Sequence, residues 1–440
     1  MHISYESGKL EKQPPPKLDV LSFAYKTVKD RMPVIITQTI DLLYRNRFET
    51  IKKYGEGATD EVKTVIGRLS KLRNELQTDK PYLFITDQYA DVEIWNDCLK
   101  SLNENERSWF KSSWLFAECY MYRRIFEGFQ ISKYLKPLDP FQHQKEESFI
   151  RLMSNVLVIS EDVNKLFILD NISEEVAKQF FTNYMELSVW GNKCDLSLSG
   201  GQQTNAILDN FFKLLNELKP FILSNESDTF WNVLKNSHND KNFTLDVVLD
   251  NAGFELFTDL CLVEVLITLG LVNKVRFYVK VFPWFVSDTV RQDFNWLIEK
   301  LLCDQDENMS NLGKRWNNRL ENRQWEIIEN NFWTLPYGFS KMKTINYELY
   351  KTLAEADFIL FKGDLNYRKL FGCQYWKPTT PFDDGLQQFN PSPLCVMRTL
   401  KSEIILGLRD GLAEDTAKQN EDWMVTGQYA VIQCSTKVVK

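Results

Sequence analysis

Helical periodicity governs the first part of the chain, and short apolar runs govern the rest. From residue 18 to about 186, apolar residues recur at helical spacing, as over 33–51, 59–76, 109–129 and 147–166. Gly55-Glu56-Gly57, Lys80-Pro81 and the prolines of 137–140 punctuate them. After Thr204 the pattern changes. Val247, Val248 and Leu249 form a β-branched run that predicts a buried strand. Phe254, Phe257, Cys261, Leu262 and Val265 predict a helix behind it, with Gly253 between. Further strand-like runs lie at 274–281, 357–361, 394–397 and 429–434, with a helix over 290–302. Residues 303–350, rich in Trp and Asn and helix-leaning, read as an insertion. This order predicts an α/β fold: a largely parallel, doubly wound sheet domain at 204–440 with an N-terminal all-helical domain at 18–190. A flexible leader at 1–17 and a linker or cleft loop at 191–203 complete the division.

The strand ends carry the candidate chemistry. Asp250 and Asn251 follow the first run, Asp288 the second, Asp364 the third, and Arg398 and Lys401 the fourth. In a parallel sheet all these loops open on one edge, where ligands bind. Asp250, Asn251 and Asp288 offer hard oxygen donors suited to magnesium or manganese. Arg368, Arg398 and Lys401 offer cations for a phosphate, and Gly363 lets a backbone amide approach an anion. The combination suits metal-assisted hydrolysis of a phosphoester. Helix capping is the competing explanation for any one Asp or Asn in such a loop. Residues 190–201 serve either as a hinge or as a cleft loop bringing Asn192, Lys193 and Asp195 to the site. The aromatic helix at 114–124 is expected to pack in the core, with Glu118 paired to an arginine.

Composition narrows the classes. Hydrophobic residues are 44% and charged residues 26%, as in a globular protein with a large core. A net charge of −7 argues against a general nucleic-acid or anionic-membrane binder. No apolar run approaches a membrane span, and the start of the chain lacks a signal-peptide pattern. Eight cysteines without a Cys-x-x-Cys spacing read as free thiols of the cytosol or nucleus. The three histidines, His2, His143 and His238, stand outside any motif, which disfavours Ser-His or Cys-His catalysis and His-rich metal sites. There is no Walker A run and no Gly-x-Gly-x-x-Gly.

Five motifs together resemble the damage-control phosphatases, a family once known only as a domain of unknown function. They are Leu249-Asp-Asn-Ala-Gly-Phe-Glu255, Trp190-Gly-Asn-Lys-Cys-Asp195, Phe285-Val-Ser-Asp-Thr289, Lys362-Gly-Asp-Leu-Asn-Tyr-Arg-Lys369 and Arg398-Thr-Leu-Lys401. The last is similar to the Arg-Thr-x-Lys signature of the sugar-phosphate subfamily III. Leu72 to Pro81 and Glu118 to Arg124 extend the likeness into the helical half. The resemblance implies metal-dependent hydrolysis of small sugar phosphates, of the fructose 1-phosphate and fructose 6-phosphate class. It implies a divalent metal (manganese, cobalt or nickel, with magnesium also open) on Asp250, Asn251 and Asp288. It places Asp250, Asn251, Asp364, Leu365, Asn366, Tyr367, Arg368 and Lys401 around the substrate, with Asp250 and Asp364 as catalytic candidates. Asn192, Glu255 and Arg398 are further candidates. Whether Asp250, Asp364 or a water attacks stays open. Members of the family have also been described as S-adenosylmethionine-dependent methyltransferases of protein glutamate side chains. A protein substrate and that cofactor belong only to this alternative, for which no glycine-rich cofactor loop is visible; a non-catalytic interaction protein with a degenerate site is the third reading.

Overall fold

Alternation along one strand, Thr244–Val248, lays out the whole molecule. Leu245 and Val247 enter one core and Val248 the other, because successive side chains of a strand point to opposite faces. The computed structural model describes residues 22–169, 171–191, 213–237 and 242–438. Among these, seven strands form one sheet: β1 Ile222–Asn225, β2 Thr244–Val248, β3 Lys274–Val279, β4 Trp325–Glu329, β5 Phe358–Lys362, β6 Leu394–Thr399 and β7 Ala430–Ser435. Their spatial order is β1-β7-β6-β5-β2-β3-β4. β2 to β6 run parallel, while β7 is antiparallel to β6 and pairs in parallel with β1. The fold is α/β, with a mostly parallel sheet wound on both faces and an N-terminal helical region.

Helices Met153–Leu166, Glu174–Trp190, Phe254–Thr268, Arg291–Leu302 and Glu307–Glu321 share a core with Leu245, Val247, Phe277 and Leu360. The Trp114–Gln130 and Gly363–Phe371 helices pack on the opposite face, against Val248, Tyr278 and Phe361. Each fully buried Val, Leu or Phe contributes roughly 1.5–3 kcal/mol. The helix Phe254–Thr268 is buried on every side from Phe254 to Leu266, so its acids need partners. Glu264 takes Arg319 at 2.6 Å and Arg315 at 3.4 Å.

Several expectations change. Residues 303–350 are not an insertion, because they contribute β4, which closes one edge of the sheet beside β3. Its Trp-Glu-Ile-Ile-Glu run is half-buried, which weakens the apolar signal of a strand. The four-residue β1 is too short to announce itself. The helix expected from 109 starts at Trp114, where the Ser113 hydroxyl accepts from the Phe116 amide. The spans 33–51 and 147–166 each divide into two helices. Among the described residues no helix is long and apolar enough to cross a membrane, and no cysteine forms a disulfide.

The order of strands reverses at β2. From there β3 and β4 extend one way, and β5 and β6 the other. The carboxyl ends of β2 and β5 therefore flank the crevice where open α/β sheets bind ligands.

Candidate functional site

The chain leaving β2 is zipped to the chain that follows β3. Asn251 and Asp288 form an antiparallel bridge. The Ala252 amide donates to the Ser287 carbonyl at 2.7 Å, and the Thr289 amide to the Asp250 carbonyl at 2.8 Å. Two residues with positive φ, Phe285 (44°) and Val286 (68°), turn the loop back so that Asp288 faces Asn251. A β-branched residue there is strained and is held by its surroundings. Phe285 stacks on Tyr122 of the opposite helix with ring centres 4.7 Å apart.

Neither Asp250 nor Asn251 caps the following helix. Its N-cap is Gly253, at φ 70° and without a side-chain hydrogen bond. Asn251 instead donates through Nδ2 to Asp250 Oδ2 (2.7 Å) and Glu255 Oε2 (2.8 Å), while its Oδ1 accepts from the Ser287 hydroxyl. The two ends of the amide have the same shape, so a half-turn exchanges them. Lys280 Nζ donates to the Leu249 carbonyl at 3.1 Å and lies 3.1 Å from Asp288 Oδ2. That carboxylate oxygen is buried and not in hydrogen-bond geometry with any group.

The loop after β5 meets this assembly at Gly363, whose φ is +86° and whose absent Cβ would lie 1.8 Å from Asp250 Oδ2. Only glycine fits so close an approach. Gly363 opens the helix Gly363–Phe371, whose first amides are free of helical partners. Asp364 in its first turn accepts at Oδ1 from Arg398 Nε (2.8 Å), the Lys401 amide (3.1 Å) and the Ser402 hydroxyl (3.0 Å). Arg398 is 1% exposed, and its remaining nitrogens bond Ile404 and Ser402. It fixes the Asp364 and Lys401 loops from within.

Beneath lies a buried polar layer. Lys362, the last residue of β5, reaches Asp259 Oδ1 at 2.8 Å and the Ser188 hydroxyl at 2.6 Å. This ties β5 to the Phe254–Thr268 and Glu174–Trp190 helices.

Burial holds the Asp250 carboxyl well above the usual range. Asp288 and Glu255 raise it further, against the pull of Lys280 and Lys401. Burial raises Asp288 as well, opposed by Lys280, Lys369 and Lys145. Burial lowers the Lys369 ammonium to about 8. Among the described residues no three His, Cys, Asp or Glu side chains are grouped to hold a metal ion. The donor set here is two carboxylates and an amide. Its crowded, buried acids, Asp250 beside Asp288 and Glu255, fit a hard divalent cation, which takes oxygen ligands and water.

The sequence-derived residues fall into three groups. Asp250, Asn251, Asp288 and Glu255 adjoin one another, and Lys401 stands exposed close to Asp250. Asp364 and Arg398 form the neighbouring anchor. Leu365 and Tyr367 are buried in the core, where the Tyr367 hydroxyl bonds Gln433, so only their main chains remain for a ligand. Asn366 Nδ2 binds the Lys362 carbonyl at 2.7 Å. Asn192 lies outside the described residues. Glu118 does pair with an arginine, but that arginine is Arg368, 2.8 Å away, not one of its own helix. Lys280, Lys362 and Lys369 had no role assigned from the sequence, although the last two stand at the ends of one of the matching motifs. For the first two there was a signal: a lysine directly after a strand's apolar residues.

Fold and site together define an α/β protein that gathers acids and cations where its strand order reverses. The damage-control phosphatase ARMT1-like domain matches residues 27–416. Damage-control phosphatase ARMT1 of Danio rerio is 42% identical over 426 residues, covering 94% of this chain and 95% of that protein. The Homo sapiens protein of the same name is also 42% identical, over 94% of this chain and 96% of its own. The chain therefore belongs to the damage-control phosphatase ARMT1-like family. The crystal structure of a DUF89 family protein from Pyrococcus horikoshii aligns over 92% of this chain and 96% of that one, at 14% identity and a TM-score of 0.46.

Proposed function

We propose that the protein is a metal-dependent phosphatase of small sugar phosphates, with fructose 1-phosphate and fructose 6-phosphate as the substrate class. The observation that carries this reading is the meeting of the β2 and β5 loops, where Gly363 brings the start of a helix against Asp250. Asp250, Asn251 and Asp288 would hold a divalent cation, with manganese first and cobalt, nickel or magnesium as alternatives. Such a cation supplies Lewis acidity to the phosphoryl oxygens.

The chain's own groups do the rest. Arg368 and Lys401 hold the phosphate as cations, and the first amides of the Gly363–Phe371 helix add donors. Asp364, fixed by three donors to Oδ1, orients substrate hydroxyls. Asp250 and Asp364 are the catalytic candidates, Asp250 through its place beside Asn251 and Asp288 and Asp364 through its fixed orientation. The names of the relatives support this reaction class.

The test is phosphate release from fructose 1-phosphate with manganese and then with EDTA, on wild type and Asp250→Ala. Release that needs both manganese and Asp250 is expected. No release by folded protein with any divalent ion would overturn the proposal.

A further inference from the structure

We infer that Trp114 and Glu118, on the helical half of the chain, are positioning residues that hold Arg368 so that the Nε–Nη2 edge of its guanidinium receives the substrate phosphate. This deepens the phosphatase reading and rests on it.

Arg368 is 3% exposed. Its Nη1 donates to Glu118 Oε2 at 2.8 Å, and its Cζ lies 3.7 Å from the centre of the Trp114 ring. One face and one corner of the guanidinium are thereby fixed. Nε and Nη2 are buried and have no hydrogen-bond partner. These two N–H groups form the side that grips an oxyanion with parallel hydrogen bonds. The Cys373 thiol also touches Arg368, but sulfur is a weak acceptor and leaves this edge without an oxygen partner.

An arginine that serves only the core looks different. Arg123, fully buried, spends Nε, Nη1 and Nη2 on Asp87 and Asp91. Arg398 likewise bonds through all three nitrogens. Leaving two buried donors of a charged group unmade is costly, so an acceptor is expected there. The location names its class. Arg368 is in the helix whose first residue touches Asp250, and Asp364 of the same helix is close enough to act on its charge. Glu118 thus belongs to the site although it comes from the helical half of the chain, 250 positions earlier. It has two roles: it neutralises part of the arginine's charge when no ligand is bound, and it sets the angle of the fork.

The test is binding of inorganic phosphate to the full chain by calorimetry in the presence of manganese. KM and kcat for fructose 1-phosphate and the melting temperature are measured alongside. Trp114→Leu and Glu118→Ala should each weaken phosphate binding by on the order of tenfold, the loss expected for one cation–π contact or one charge-assisted hydrogen bond. KM should rise in step while kcat changes less. Arg368→Lys, which keeps the charge without the fork, should lose as much. Glu118→Gln, which keeps an acceptor oxygen, should recover most of the affinity. Should Glu118→Ala not fold, Trp114→Leu decides. A lowered melting temperature with phosphate affinity unchanged in Trp114→Leu and in the folded Glu118 variants would overturn the inference. A wild-type protein that binds phosphate through Arg368 yet hydrolyses no sugar phosphate would sink the phosphatase reading and leave the fork standing.

Discussion

Gly363 is pressed against Asp250 so tightly that a single methyl group at 363 would overlap the carboxylate, 1.8 Å from Oδ2. Gly363→Ala must therefore hold a left-handed backbone, at about 1–2 kcal/mol, and also displace the Asp250 side chain. The expected protein is folded but less stable and gains nothing from manganese. Thermal melts with and without manganese check this. A Gly363→Ala protein stabilised by the ion as strongly as wild type contradicts the assignment of Asp250 as a ligand.

Lys280 is the buried counter-charge of Asp288 and also anchors the Leu249 carbonyl. Removing one partner of a buried pair costs roughly 3–5 kcal/mol. Lys280→Met should show a loss of this order without metal and a smaller one with manganese, because an ion held as proposed would supply charge beside the same carboxylate. Equal losses under both conditions, read by urea unfolding, would falsify the shared-charge account.

Ser188, Lys362 and Asp259 act as one unit. Ser188→Ala should cost about 1–3 kcal/mol and Lys362→Met roughly 3–5 kcal/mol. The double variant should cost less than the sum, since the contacts removed are the same ones. Strict additivity in a double-mutant cycle would show that the three contacts are independent.

Asp246 on β2 faces Arg276 on β3, with Oδ1 2.6 Å from Nε. Burial pushes its carboxyl from 3.8 up to about 6, although Arg276 and Tyr278 pull it down. The folded chain therefore holds this proton at a pH where the unfolded chain has released it. The stability it contributes is fully present below 3.8 and lost as pH rises through about 6. Asp246→Asn should remove that fall, even if it lowers stability at every pH. Melting temperatures of the two proteins from pH 4 to 6 give the comparison, and parallel curves would rule the titration out.

Much of this arrangement was legible before any coordinates. Short apolar or β-branched and aromatic runs marked β2, β3, β5 and β6, and the acids and cations at their ends stood out because a parallel sheet brings such loops to one edge. β4 was hidden because its edge position leaves three of its five residues half-buried and one exposed. The division of labour around Arg368 was hidden for another reason. Its partner Glu118 is 250 positions away, and periodicity carries no information about pairs at that separation. Leu365 and Tyr367 belong to the matching motif, yet only the fold shows that their side chains serve the core.

Those separations also govern how the molecule is made. Glu118 waits for Arg368 over 250 residues, Ser188 for Lys362 over 174, and Lys145 for Asp293 over 148. Contacts so far apart in sequence close late and slow the folding of a chain. During synthesis the helical half leaves the ribosome long before β5 exists, with Trp114 and its aromatic neighbours still uncovered. Such surfaces invite association with other chains until their partners arrive. The crevice at the end of β2 is thus among the last features to assemble, and a chain stopped short of Arg368 has none.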